Sequence, residues 1–155
     1  LSGILGQSMS SRLFQTVREE KALAYNIGSY NASFQTGGIL NIYAGCNPER
    51  YDDMMHCIQE IIEDISRNGP EDEEITRARD QIRCSMLLGM ETTDSRMISN
   101  GRNMLLRGRP VSREEAIEKI DKVTKDDVQS IIDKYIDWNR KAVSVLRPAK
   151  KTKKN

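Results

Sequence analysis

Two side chains in the stretch VREEKALAY (residues 17–25) have the chemistry to hold a peptide, the guanidinium of Arg18 and the phenol of Tyr25. Arginine offers a planar fork of N–H donors and tyrosine a single O–H. Donors of this kind can hold a carbonyl group and stabilise charge developing on its oxygen. The two residues sit on either side of a helix-to-strand corner. If they project together they form a grip. If they do not, Arg18 is a cation complementing a helix end and Tyr25 is an ordinary strand residue. Spacing alone leaves both readings open.

Other candidates fall short of a site. His56 is the only histidine, with Glu60 one helical turn on. A catalytic zinc site draws on three protein ligands, and helical zinc motifs place two histidines around a glutamate, so His56 reads as an exposed helix residue. A nucleophile–histidine triad fails for the same want of partners. The acidic run Glu71-Asp72-Glu73-Glu74 suits the positive end of a helix. Gly3, Gly6 and Ser8 have neither the preceding strand nor the following lysine of a phosphate loop. Cys46, Cys57 and Cys84 are odd in number and form no CxxC pair, which points to free, buried thiols in a reducing compartment, and the chain reads as cytoplasmic.

Composition narrows the class. The 155 residues make one domain's worth of chain, and 37% hydrophobic with 30% charged residues describes a soluble globular protein. With 24 basic against 23 acidic side chains, no electrostatic footprint for nucleic acid is present. No apolar run is long enough for a membrane span, and no secretory leader pattern opens the sequence.

The elements that must position Arg18 and Tyr25 follow from periodicity. Met9, Leu13, Phe14 and Val17 predict a helix over Met9–Glu20, capped by Ser8 or Ser10. Alternation predicts strands over Ala24–Phe34 and Ile39–Cys46, joined through Gln35-Thr36-Gly37-Gly38 as an antiparallel hairpin. Asn47-Pro48 starts a helix whose apolar stripe runs from Tyr51 to Ile65 and stops at Asn68-Gly69-Pro70. A long helical region over 71–106 is expected to break near Gly89 and Thr92-Thr93, with Met97, Ile98, Met104 and Leu105 marking its second apolar face. Ser112–Glu115 and Thr124–Asp127 read as capping boxes for two more helices. Ala142–Leu146 reads as a closing strand. Residues 1–148 form the expected domain, and 149–155 a basic disordered tail. Segregated strands and helices indicate an α+β fold: an antiparallel or mixed sheet, hairpin plus closing strand, with helices packed on one face.

The segment ILGQSMSSRLFQTVREEKALAYNIGSYNASFQTGGILNIYAGCNPE (residues 4–49) resembles the pitrilysin family of zinc peptidases, which includes insulin-degrading enzyme and the mitochondrial processing peptidases. Weaker similarity continues through RPVSREEAIEKIDKVTKDDVQ to the closing strand. Family members carry two related halves that close around a peptide, and only the first holds the zinc motif H-x-x-E-H. This chain lacks that motif, so it resembles the second, non-zinc half, beginning partway into it. The resemblance implies that Arg18 and Tyr25 bind substrate backbone around the scissile bond, and that this chain binds no metal. It also implies that zinc belongs to a partner half, on the same polypeptide or another subunit, and that the chain does not cleave peptides alone. Two alternatives stand beside it: a non-proteolytic assembly subunit of the same fold, or a stand-alone peptide-binding module. Exposed sheet edge and apolar helix surface are expected to make the fragment self-associate.

Overall fold

Antiparallel pairing organises residues 26–45. In a computed structural model, which describes residues 1–89 and 91–149, β1 (Asn26–Phe34) and β2 (Gly37–Gly45) pair from Asn26↔Gly45 to Phe34↔Gly37 around Gln35-Thr36. Ile27 and Ser29 point inward and are buried, whereas Tyr30 and Tyr43 pair diagonally on the outward face with centroids 6.2 Å apart. Before the hairpin come α1 (Ser2–Leu5) and a π-helical segment, Phe14–Glu20. After it a 3₁₀ turn, Pro48–Arg50, leads into α2 (Tyr51–Asn68). Then follow α3 (Asp72–Gly89), α4 (Thr93–Arg107), α5 (Arg113–Asp121), α6 (Lys125–Tyr135) and a last 3₁₀ turn, Trp138–Arg140. The fold is α+β.

The core lies where α2 meets the hairpin, the π-helical segment and α6. Along α2, Met54, Cys57, Ile58, Ile61, Ile62 and Ile65 recur at helical spacing and are buried. They meet Leu13 and Val17 from the π-helical region, Ile27 from β1, and Val128 and Ile132 from α6. Burying one such aliphatic side chain stabilises the fold by about 1.5–3 kcal/mol.

Capping chemistry explains most helix boundaries. Asn47 Oδ1 accepts the Glu49 N–H at 3.2 Å, and α2 stops at Gly69, whose φ is 72°. Thr92 Oγ1 accepts the Ser95 N–H at 3.2 Å, so the break expected near residues 89–93 is a helix start. Thr124 and Asp127 form a reciprocal capping box. At Ser112 only half of the box forms. Its hydroxyl accepts from Glu115 N, but the Glu115 carboxylate is held by Arg109 in a bidentate pair at 2.7 Å and by Lys119 at 2.8 Å. Charge-assisted donors outcompete a backbone amide for that carboxylate.

Several expectations need correction. The helix predicted from Met9 begins later, because Ser8–Ser11 make a turn in which the Ser11 hydroxyl donates to the Ser8 carbonyl at 2.6 Å. Neither Ser8 nor Ser10 caps it, and Met9 is exposed. The glycine-containing lead is no open cradle, since the Gly6 carbonyl accepts from Ser29 N at 3.1 Å. A Cβ at Gly6 would lie 2.4 Å from that nitrogen, so only glycine allows the approach. Ala142–Leu146 is not a strand here: among the described residues it has no ladder partner, and the sheet has two strands. The apolar residues of α4 are exposed, because among the described residues no other element covers that face. Of the three free thiols only Cys57 is buried; Cys46 is half-buried and Cys84 exposed on α3. Residues 150–155 of the expected tail lie outside the described residues.

Candidate functional site

The corner between Arg18 and Tyr25 departs from regular geometry twice. The helix carrying Arg18 is wound in π form, with the Lys21 N–H reaching back to the Thr16 carbonyl at 3.0 Å. Wide turns of this kind occur frequently at functional sites. Just beyond, Ala22 adopts φ 47°, among the described residues the only non-glycine with positive φ. A left-handed residue after a helix end is normally glycine, and a Cβ there costs about 1–2 kcal/mol. The neighbours enforce it: Leu23 N–H donates to the Val17 carbonyl at 2.8 Å, and Leu23 and Val17 are both buried. That anchored reversal swings the chain from the helix into β1.

Tyr25 is held by its backbone and ring while its phenol stays in solvent. Its N–H donates to the Gly45 carbonyl at 3.0 Å, extending the hairpin by one residue. Its ring lies over Gly45, where a Cβ would come within 2.8 Å of Cε2. The hydroxyl donates a long bond, 3.4 Å, to the Cys46 carbonyl, and the residue is 71% exposed. Such a bond is weak enough to yield to a better acceptor.

Arg18 is also outward-facing. Its guanidinium stacks on the Phe14 ring at 4.6 Å from the centroid, and its Nε lies 3.6 Å from Glu19 Oε1. That leaves a pre-oriented fork with only a loose carboxylate neighbour, since stacking costs it no donors. Arg18 and Tyr25 share no hydrogen bond. They are joined only through the anchored corner, each with its own support.

At the start of the helix that carries Arg18 sits a clamp that sequence reasoning missed. Arg12 donates to both Glu74 oxygens at 2.7 Å, to Asp64 Oδ2 at 2.7 Å and to the Gly69 carbonyl at 3.1 Å. One guanidinium thus fastens the base of the π-helical segment to the end of α2 and the start of α3. Burial works against the Glu74 charge, yet the bond from Arg12 and the Glu71 N–H outweigh it and hold the carboxyl below its usual range. The same bond to Glu74 raises the Arg12 pKa. Nothing in the spacing of residues 12 and 74 announces the pair, which exists only when the two helices dock.

His56 does not build a metal centre. It is exposed on α2 with its Nε2 3.4 Å from Glu60, a carboxylate also engaged by Lys21 at 3.2 Å. Among the described residues no group of three or more histidine, cysteine or acidic side chains is placed to hold a metal ion. The residues present do not fit zinc.

Residues 1–82 match the family described as the Peptidase M16 inactive domain. The uncharacterized zinc protease YmxG of Bacillus subtilis is 37% identical over 131 residues, covering 84% of this chain and 32% of its own length. A second relative, the uncharacterized zinc protease SCO5738 of Streptomyces coelicolor, is 36% identical over 150 residues, covering 97% of this chain and 32% of the relative. The chain therefore spans about a third of the length of these curated relatives. A solved inactive peptidase domain from Bordetella parapertussis has the same fold, with a TM-score of 0.75 at 17% identity, covering 89% of this chain and 75% of that one.

Proposed function

This chain belongs to the M16 peptidase family as its inactive, C-terminal-half domain, and on that premise we propose that it positions peptide substrates for a zinc-bearing half. That half lies elsewhere in the same polypeptide or in a partner subunit, and this chain contributes no metal ligand. Arg18 and Tyr25 are the positioning residues, and neither acts alone as a catalyst. The observation carrying this reading is the build of the corner. A strained left-handed alanine and a ring-covered glycine hold a phenol that is nonetheless exposed. Strain of this sort persists where surrounding structure over-determines it, and it gathers at ligand clamps.

The chemistry is that of pre-oriented donors. An extended substrate presents a backbone carbonyl to the Tyr25 O–H and the Arg18 fork. Both donors strengthen as charge builds on that oxygen, so they favour the transition state over the ground state. Removing one donor of this type costs about 2.7–4 kcal/mol, or 10²–10³ in rate. The phenol exchanges its 3.4 Å bond to the Cys46 carbonyl for the substrate oxygen.

The test uses the zinc-bearing polypeptide that includes this domain, assayed for peptide cleavage with Tyr25→Phe and Arg18→Ala. Each variant is expected to lower kcat/KM by about 10²-fold with little change in Tm, because both side chains are exposed and make few bonds. Unchanged rates in both variants would sink the positioning role. The 155-residue chain by itself is expected to cleave nothing, and zinc-dependent proteolysis by it would overturn the proposal.

A further inference from the structure

The outward face of the hairpin is exposed and carries no charge. Between Lys21 and Glu49 the sequence has no aspartate, glutamate, lysine, arginine or histidine, although 30% of the chain is charged. Exposed strands ordinarily carry charged side chains, which keep them in water and away from other strands. A tyrosine-bearing face without them marks an interaction surface. Its residues follow from the register: Asn26↔Gly45, Gly28↔Tyr43 and Tyr30↔Asn41 are successive pairs on the side opposite buried Ile27 and Ser29. Two glycines there leave room for neighbouring rings. The Tyr25 ring covers Gly45, and the Tyr43 ring lies over Gly28, where a Cβ would be 2.6 Å from Oη and 2.8 Å from Cζ. Tyr30 comes next, tilted 46° to Tyr43 with ring centroids 6.2 Å apart. Tyr25, Tyr43 and Tyr30 thus make one row of exposed rings, beginning at the phenol assigned to the substrate grip.

We propose that Tyr43 and Tyr30 form a subsite that reads one substrate side chain, selecting an aromatic or large aliphatic residue and rejecting an acidic one. This subsite depends on Arg18 and Tyr25 being the grip on the substrate backbone. A peptide held there and extended along the row advances ~3.3–3.4 Å per residue, with same-side side chains ~6.6–6.8 Å apart. The row has the same repeat, because same-face residues of β2 are also two positions apart. A side chain two to four residues from the gripped carbonyl therefore falls on Tyr43 and Tyr30.

The chemistry of the row sets the preference. The tilt between the two rings leaves a wedge that accepts a third ring edge-to-face, or an aliphatic branch. Tyrosine supplies such contact area with little rotamer freedom to lose, and the amides of Asn26 and Asn41 add adaptable hydrogen bonds. A carboxylate pressed on the rings meets their negative faces, loses hydration and finds no cation in the hairpin. A basic side chain is drawn to the same ring faces and ranks between the two.

The test uses the zinc-bearing polypeptide that includes this domain, given peptic digests of casein and serum albumin, with cleaved bonds mapped by mass spectrometry. At one position within four residues of the cleaved bond, aromatic and large aliphatic residues are expected to be enriched over aspartate and glutamate by roughly threefold to tenfold. Tyr30→Lys and Asn41→Lys should abolish the acidic depletion at that position. Tyr30→Glu and Asn41→Glu should deepen it and enrich lysine and arginine. Tyr43→Ala should flatten the aromatic preference, and Tyr43→Phe should keep it. Opposite shifts from opposite charges at one site cannot come from altered stability. Two positions carry the same test, so a variant that fails to fold at one leaves the sign to be read at the other. Charge variants with the parent profile, or shifts in one direction for both signs, overturn the subsite. So does a parent profile with acidic residues undepleted, or charge variants that change only the sedimentation coefficient, which marks contact with a second copy. Failure of the grip shows separately, in the rate and not in the residue profile, as Tyr25→Phe and Arg18→Ala cleaving at the parent rate.

Discussion

Arg12→Ala removes the clamp that ties the start of the helix carrying Arg18 to α2 and α3, and its cost can be worked from the contacts. The side chains of Arg12 and Glu74 are 16% and 10% exposed, so this pair is largely shielded from water. A hydrogen bond to a charged group contributes about 1.5–3 kcal/mol, and losing Arg12 also strands a mostly buried carboxylate with only the Glu71 N–H. The contact with Asp64 adds at most about 1 kcal/mol, since that carboxylate is half in solvent. The expected loss is about 3 kcal/mol. For a domain of this size that corresponds to a fall in Tm of roughly 6–12 °C, at about 2–4 °C per kcal/mol. Arg12→Lys keeps the charge but not the fork, and should lose about half as much. Urea and thermal unfolding, followed by Trp138 fluorescence, supply the numbers, and Glu74→Gln with the double variant isolates the pair. Coupling near zero, or a Tm within 2 °C of the parent for Arg12→Ala, would refute the reasoning.

Acid should act through the same clamp. The Glu74 carboxyl is held below its ordinary value in the folded state, so its contribution is complete above about pH 4.5 and is lost as pH falls through the folded pKa. Glu115 behaves alike, held down to about 2 first by Arg109 and then by Lys119. Circular dichroism between pH 5 and 2 should show Glu74→Gln with a flatter loss of stability than the parent, and an equal slope would count against the pairing. Gly45→Ala should push the Tyr25 ring aside, lowering cleavage by the longer polypeptide much as Tyr25→Phe does while changing stability by less than about 1 kcal/mol. Activity at the parent level would show that the ring seat is irrelevant. The isolated chain should self-associate through α4, where Leu105 is 88% exposed beside Met97 and Ile98. In sedimentation equilibrium Leu105→Glu should shift it toward monomer, and a parent that is already monomeric at high concentration would rule the surface out.

Local rules written in the sequence settled much of this protein. The hairpin turn, the Asn47 and Thr124 caps, the Gly69 stop and the isoleucine stripe of α2 each depend on residues within one or two turns of one another. Periodicity and capping chemistry are local physics, so they are legible without the fold. The chemical candidates Arg18 and Tyr25 were visible in the same way, as side-chain types at a corner. Tertiary structure decided what local rules cannot reach. The π winding and the left-handed Ala22 arise because Val17 and Leu23 must both be buried, which overrides the ordinary helix that Met9–Glu20 suggests. The Arg12–Glu74 clamp joins residues 62 apart in sequence, and no spacing rule covers that distance. Alternation at 142–146 announces a strand, but a strand exists only where a neighbour supplies hydrogen bonds, and within this chain the β2 edge stands across a cavity from it. Sequence by itself named the side chains and their elements; docking between distant elements determined how they are held, because packing and long-range pairing belong to the assembled fold.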